Sequence, residues 1–260
     1  MAGSQIERAF ALLQCLAQAP QGLGVQVLAE RLAIPKSAAH RMLVELSRLG
    51  YVRQDLRSSH YRLTTQLVAL GFQYLAGSGA DVVQPVLDRL AESSGELVRL
   101  GVIENLRQTW IAKSQGARAG LRYDPDMGRQ APLGYTASGH AWLSSLTVDE
   151  ACALLAQEPA PDYSALGPNA PRSLEQILEK LAQARAQGYA WVSESASVGM
   201  AALAAVIRHP HSQEAIGVLS IAGPSARLSP ERIKALAEPL LQAANELSTL
   251  SLASELFVLD

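Results

Sequence analysis

The sequence predicts an α+β chain in two parts, a small basic head of helices with one hairpin and a larger acidic body of interleaved strands and helices. Three observations carry this expectation. Over residues 25–63 a short apolar-patterned helix, a turn at Ile34-Pro35, a second helix opening Lys36-Ser37-Ala38-Ala39-His40-Arg41 and a basic hairpin follow directly on one another. Beyond residue 80, runs with strand alternation are mixed with helical apolar repeats, the order expected of an antiparallel sheet packed between helices. Charge divides the same way. Residues 1–63 hold eight Lys or Arg against four acids, and the rest holds 14 against 20. A basic head on an acidic remainder fits a polyanion-binding module joined to a body with a different task.

Length and composition agree. With 260 residues, 48% apolar and 18% charged, the chain is long enough for two cores and is not of the disordered class. The expected divisions are a head over 1–63, a linker helix and hinge over 64–79, and a body over 80–260. Cys15 and Cys152 sit in apolar helical patterns, not at metal or disulfide spacing, and no leader with an apolar core opens the residues. A reducing cytoplasm is therefore expected. No membrane span is expected either, because the richest apolar run, residues 200–207, stops at Arg208.

Within the head, Ser4-Gln5-Ile6-Glu7 reads as a capping box that starts a helix to about Gln18. Its apolar positions Ile6, Phe10, Leu13 and Leu16 or Ala17 keep a helical period, and Pro20-Gln21-Gly22 breaks it. Residues 25–33 form a second helix with Val27, Leu28 and Leu32 inward. Pro35 suits the first turn of the third. There Ala39, Met42, Leu43, Leu46 and Leu49 face the core, and Gly50 ends the helix. The opposite face presents Lys36, Ser37, His40 and Arg41. Tyr51 to Gln54 and His60 to Leu63 then alternate as two strands around a tip holding Arg57 and Ser58.

This order is that of a winged helix-turn-helix. A recognition helix enters the major groove with its first residues nearest the bases. Lys36 and Ser37 are placed closest to bases or flanking phosphates, His40 and Arg41 one turn on with Arg41 also able to turn outward to a phosphate, Arg57 and Ser58 at phosphates or the minor groove, and Arg8 against the backbone. A winged helix that docks protein is the competing use of the same pattern.

Residues 64–76 carry Leu67, Leu70 and Tyr74 at helical spacing, and Gly77-Ser78-Gly79 reads as a hinge. A helix over 81–94 follows, then strand patterns over 97–104, 108–114 and 121–123. Helices are expected over 136–146 and, after a capping box at Thr147 and Glu150, to Gln157. A Pro-rich loop spans 159–171 and a helix 173–187. Strands return over 189–194, 200–208 and 215–222. A long helix capped by Ser229, with Pro230 in its first turn, closes the chain.

The head, the stretch Gly128-Arg129-Gln130-Ala131-Pro132-Leu133-Gly134-Tyr135-Thr136-Ala137-Ser138-Gly139-His140-Ala141, the segment Gly188-Tyr189-Ala190 and the closing Ile216 to Pro224 with Arg227-Leu228-Ser229 are together similar to the IclR family of bacterial regulators. The similarity runs in order along nearly the whole chain. It implies a GAF-like effector domain for a small organic molecule, a dimer or dimer of dimers, double-stranded DNA with a pseudo-palindromic operator as partner, and control of a catabolic operon. It also implies pocket positions at Ala137, Ser138, Val192, Met200, Ala202, Ser220 and Ala222. Many members have an acid near Val192, a Cys at Ala202 and a hydroxyl at Ala222.

Those departures make the expected pocket larger and more apolar. Its polar end is Thr136, Ser138 and Ser220, with the open amides of the helix start able to hold a carboxylate. Tyr123 and Tyr135 are placed to stack on a ring, and Arg122 to bond a carboxylate. The expected effector is an aromatic or otherwise bulky organic acid, not a two- or three-carbon acid. Each residue also has a plainer use: Thr136 and Ser138 as caps, the tyrosines as core or rim, Arg122 as a solvated strand residue, Val192 and Ala202 as core.

No cofactor, metal site or catalytic residue is expected. The chain has no Gly-x-Ser-x-Gly elbow, P-loop or paired-cysteine site, and Gly22-Leu23-Gly24 lacks a third glycine and a preceding strand. His209-Pro210-His211 reads as a solvated turn. Asp124-Pro125-Asp126-Met127-Gly128 resembles a calcium loop but has no later glutamate in place. The alternative to a regulator is a small-molecule-metabolising enzyme carrying a winged-helix protein-interaction module.

Overall fold

The computed structural model describes residues 4–77, 80–123 and 132–257. The chain divides into two compact units, Met1–Leu75 and Ala76–Asp260.

In the first unit, α1 spans Gln5–Ala17, α2 Val25–Arg31 and α3 Lys36–Arg48, followed by β1 Val52–Gln54, β2 Tyr61–Leu63 and α4 Gln66–Gly77. Both halves of the Ser4–Glu7 capping box form. The buried strip of α1 is Leu12, Leu13 and Leu16, packed with Leu28, Leu43, Val52 and Tyr61. Ile6 and Phe10, expected in that strip, are 70% and 61% exposed. They lie about a quarter-turn round the helix from the buried face, which is filled instead through Ala9.

Similar displacements occur in the next two helices. Leu28 and Ala29 carry the core side of α2 while Val27 is exposed, and the left-handed Ala33 follows the helix end. Pro35 is the N-cap of α3, not part of its first turn, and its carbonyl accepts from Ala38 and Ala39. Ala39, Met42, Leu43 and Leu46 are buried, whereas Leu49 is the exposed C-cap. The strands β1 and β2 pair antiparallel with Arg53 opposite Arg62. Helix α4 has no charged residue and buries none of its side chains. Ser78 and Gly79 of the expected hinge lie outside the described residues.

The second unit comprises α5 Ala80–Ser94, β3 Leu97–Glu104, β4 Arg107–Gln115, α6 Ala137–Ser144, α7 Val148–Leu155, α8 Leu174–Gln187, β5 Ala190–Ser193, β6 Met200–Arg208, β7 Ala215–Pro224 and α9 Pro230–Leu250, then two short 3-10 turns. Five strands form one antiparallel sheet in the order β4-β3-β7-β6-β5. Helices α5 and α9 pack on one face. On the other, Ala190, Ala204 and Val218 meet Leu133, Ala141, Trp142, Ile177 and Leu181 from the α6 and α8 side. Residues 121–123, expected as a strand, form none, because Gly120 at φ +77 turns the chain away from strand geometry. The resembling calcium-type loop, residues 124–128, lies outside the described residues.

Two close approaches hold this unit. Arg227 grips buried Glu96 through Nε at 2.6 Å and Nη2 at 2.7 Å, while its Nη1 donates to the Leu121 carbonyl at 3.0 Å. Gly139, in the first turn of α6, lies against residue 133, where an added Cβ would fall 2.2 Å from the Leu133 carbonyl oxygen. Backbone cannot yield there as a side-chain tip does. Gly139→Ala is expected to cost about 2 kcal/mol, read as a lower urea midpoint with an unchanged slope.

Candidate functional site

The head presents a cationic surface built by α3. Burial of Ala39, Met42 and Leu43 fixes the helix's inner face, so Lys36, Ser37, His40 and Arg41 are all exposed. Arg8 of α1 joins His40 and Arg41 around one groove of about 410 Å³. The ion pairs within the head are Arg48–Glu45 and Arg62–Asp55. Among the described residues Arg8, Lys36, Arg41 and Arg57 have no carboxylate partner, which leaves their charge for a polyanion.

The wing is preformed by one side chain. Asp55 accepts the amides of Arg57 and Ser58, each at 2.9 Å, and these bonds hold its carboxyl below the usual range. Arg57 and Ser58 are thereby displayed at the tip. Leu56 beside them is 97% exposed, and sequence reasoning passed over it. A leucine within the otherwise polar run Asp55-Leu56-Arg57-Ser58-Ser59 was the available signal.

In the second unit a cavity of about 50 Å³ lies over the α6 face of the sheet. It brings together nine of the residues expected at a pocket: Tyr123, Thr136, Ala137, Ser138, Val192, Met200, Ala202, Ser220 and Ala222. Strand register explains the grouping. Val192, Ala202 and Ala222 stand opposite one another across β5, β6 and β7, and opposed residues of antiparallel strands share a face. The α6 start closes the other wall. Thr136 caps that helix, its hydroxyl accepting from Gly139 at 3.0 Å and donating to the Pro132 carbonyl at 2.7 Å. Its capping use is thus real, and Ser138 stands 3.2 Å from it with its hydroxyl buried.

Two expected residues are placed elsewhere. Arg122 is exposed and bonds the Arg118 carbonyl at 2.9 Å. Because residues 121–123 are not a strand, no sheet directs its side chain inward. Tyr135 packs edge-on with Tyr163 at 6.3 Å. Burial, then the hydrogen bond with Tyr163, pushes its phenol up to about 12. It lies just ahead of the α6 cap, and its position in the chain gave no indication of the turn that points it away.

Sequence reasoning missed Arg99, which lines the same cavity with Ala196, Ser197 and Ala201. Arg99 is on β3 directly opposite Ser220 of β7. Its guanidinium carbon lies 4.0 Å from the Trp110 ring centroid and 5.8 Å from that of Tyr123. Arg99 Nε and Ser220 Oγ are both buried with no hydrogen-bond partner. Burial pushes the arginine pKa down. A charged residue amid the apolar run of residues 97–102 was the signal that could have found it.

Among the described residues no group of three or more His, Cys, Asp or Glu is assembled as a metal site, and no helix is long and apolar enough to cross a membrane. His209 instead closes its turn, its Nδ1 accepting from the Ser212 amide. Cys15 and Cys152 are both unpaired.

Comparisons with known proteins fit both halves. Residues 5–56 match the IclR helix-turn-helix domain, and residues 79–249 match the C-terminal domain of bacterial transcriptional regulator IclR. The acetate operon repressor of Salmonella typhimurium is 27% identical over 245 residues, covering 94% of this chain and 88% of that protein. The glycerol operon regulatory protein of Streptomyces coelicolor is 33% identical over 231 residues, 87% of each chain. A solved IclR regulator from Alicyclobacillus acidocaldarius superposes with a TM-score of 0.83 at 22% identity, over 96% of this chain and 100% of that one. An IclR homolog from Microbacterium hydrocarbonoxydans, solved with 4-hydroxybenzoate, gives a TM-score of 0.78 at 22% identity and the same coverage. The Salmonella, Streptomyces and Alicyclobacillus relatives are named as a repressor, a regulatory protein and a transcriptional regulator. The chain belongs to the IclR family of bacterial transcriptional regulators.

Proposed function

We propose that the protein works in the cytoplasm as a homo-oligomeric, ligand-responsive regulator of a catabolic operon, with an aromatic or otherwise bulky organic acid as effector. The observation that carries the effector reading is the cavity. It has apolar walls at Val192, Met200, Ala202 and Ala222, and at its polar end the Arg99 Nε and the Ser220 hydroxyl are buried without partners. Unsatisfied buried polar groups are costly, and an acid relieves them. The relative solved with 4-hydroxybenzoate binds an aromatic acid of this kind.

On the DNA side, Lys36, Ser37, His40 and Arg41 enter the major groove, where Lys36 and Arg41 also reach flanking phosphates, with Arg8 on the backbone and Arg57 and Ser58 at phosphates or the minor groove. A second copy fits the head's surface, since α4 exposes Val68, Leu70, Phe72 and Tyr74 while α1 exposes Ile6 and Phe10. An apolar surface of that extent calls for a cover, and two heads match a pseudo-palindrome. The helix α4 and the residues after it, through 79, are the coupling segment. The effector shifts the operator-binding equilibrium only by as much as it prefers one arrangement of the dimer.

An open volume of about 50 Å³ is well below the roughly 300 Å³ at which ligand pockets begin. A ring-sized acid therefore enters by displacing Met200, an unbranched side chain that repacks easily. Met200→Ala is expected to strengthen 4-hydroxybenzoate binding several-fold and to leave pyruvate unchanged. Thermal shift and calorimetry on the full chain check this, with operator release measured alongside. Tight binding of pyruvate and none of ring acids would sink the bulky-acid reading.

A further inference from the structure

We infer that Arg99 sets the charge of the effector: with the Ser220 hydroxyl it takes the single carboxylate of a monoanionic acid, and the start of α6 is not the principal anchor. This rests on the reading that the cavity holds an acid.

The surroundings of Arg99 are unusual for an enclosed arginine. Other arginines of the same unit meet oxygen: Arg227 holds Glu96, Arg208 the Gln213 carbonyl, and Arg185 the carbonyls of Ser144 and Leu146. Arg99 meets aromatic faces instead. Among the described residues it has no carboxylate at ion-pairing distance, and its buried Nε has no acceptor. A guanidinium cannot shed its proton at working pH, so the unpaired charge stays. Stacking on Trp110 offsets part of its desolvation and fixes the plane of the fork. The register sets Arg99 opposite Ser220, whose hydroxyl also lacks a partner, and both line the cavity. One planar cation held rigid with a free Nε, and a free hydroxyl lining the same cavity, match a carboxylate with two oxygens.

The α6 start is a weaker claimant. Its N-cap hydroxyl is already bonded to Gly139 and Pro132, and a helix terminus offers partial charge where Arg99 offers a whole one. The charge count sets a further limit. Among the described residues the cavity lining contains no other Lys, Arg or His. A second carboxylate on the ligand would be buried against Val192, Met200, Ala202 or Ala222 with nothing to neutralise it. The site therefore selects monoacids over diacids and over neutral amides.

Calorimetry on the full chain with benzoate, benzamide and phthalate tests this, using wild type, Arg99→Gln and Arg122→Gln. Benzoate is expected to bind wild type at least tenfold more tightly than benzamide or phthalate. Arg99→Gln is expected to weaken benzoate by about 10- to 100-fold, the range of a lost charged hydrogen bond, and to leave benzamide unchanged. Arg122→Gln is expected to bind like wild type. Should Arg99→Gln fail to fold, Arg99→Lys serves, keeping the charge but losing the fork, with benzoate weakened and its preference over benzamide retained. Wild-type benzoate affinity in a folded Arg99→Gln protein would overturn the anchor while leaving the acid reading intact. Failure of wild type to bind benzoate, cyclohexanecarboxylate or pyruvate would overturn the acid reading, and this inference with it.

Discussion

Replacing Arg227 by methionine is expected to destabilise the second unit by about 3 kcal/mol, near the lower end for breaking a buried ion pair because the arginine is itself partly exposed. The substitution strands Glu96, whose side chain is only 5% exposed, with no countercharge for either oxygen. The carboxylate also packs against Gly223, where an added Cβ would fall 2.2 Å from Glu96 Oε2. A double variant, Arg227→Met with Glu96→Gln, is expected to recover a large part of the loss. Removing both charges avoids the stranded carboxylate, and the cycle isolates the pairing energy. Urea denaturation of the four proteins measures it. Equal losses in the double variant and the Arg227 single variant would count against the pairing. Benzoate affinity should fall with the Arg227 variant as well, because Arg227 also holds the Leu121 carbonyl two residues before Tyr123 of the cavity wall.

On the DNA side, Lys36→Ala combined with Arg41→Ala is expected to reduce operator affinity at least 100-fold, about 3 kcal/mol. Among the described residues neither has a carboxylate partner, so their full charge is available to phosphates. Their removal should also flatten the dependence of log affinity on log salt by about one for each phosphate left without its cation. Both side chains are exposed, so folding should be unaffected. Mobility shifts at several salt concentrations give both quantities. An unchanged salt slope would mean that the charges of α3 do not face the phosphates.

The features legible in the sequence are those with a local cause. The capping boxes at Ser4–Glu7 and Thr147–Glu150 close within four residues, and both form as read. Ser229 followed by Pro230 starts α9 for the same reason. Strands β3 and β6 have the expected bounds because β-branched and apolar runs end there at charged or turn residues. Pocket positions such as Val192, Ala202 and Ala222 came from family resemblance, and the register of β5, β6 and β7 sets them on one face.

What was not legible depends on partners distant in sequence. A helical period shows that α1 has an apolar stripe but not which strip the neighbouring helices cover, so Ile6 and Phe10 read as core and are exposed. Arg99 looked like one charge in a strand. Only the pairing of β3 with β7 sets it opposite Ser220, and only the β3–β4 pairing brings Trp110 over it. Arg122, read as a clamp, has no such role because its segment is not a strand.

By itself the sequence determined the helices, most of the strands and the cationic face of α3, because capping, period and local charge act within a few residues. The tertiary structure alone decided which surface of α1 is buried, and that a full charge reaches the cavity from the sheet. Burial and electrostatic pairing depend on what the fold brings near, and sequence spacing does not encode it.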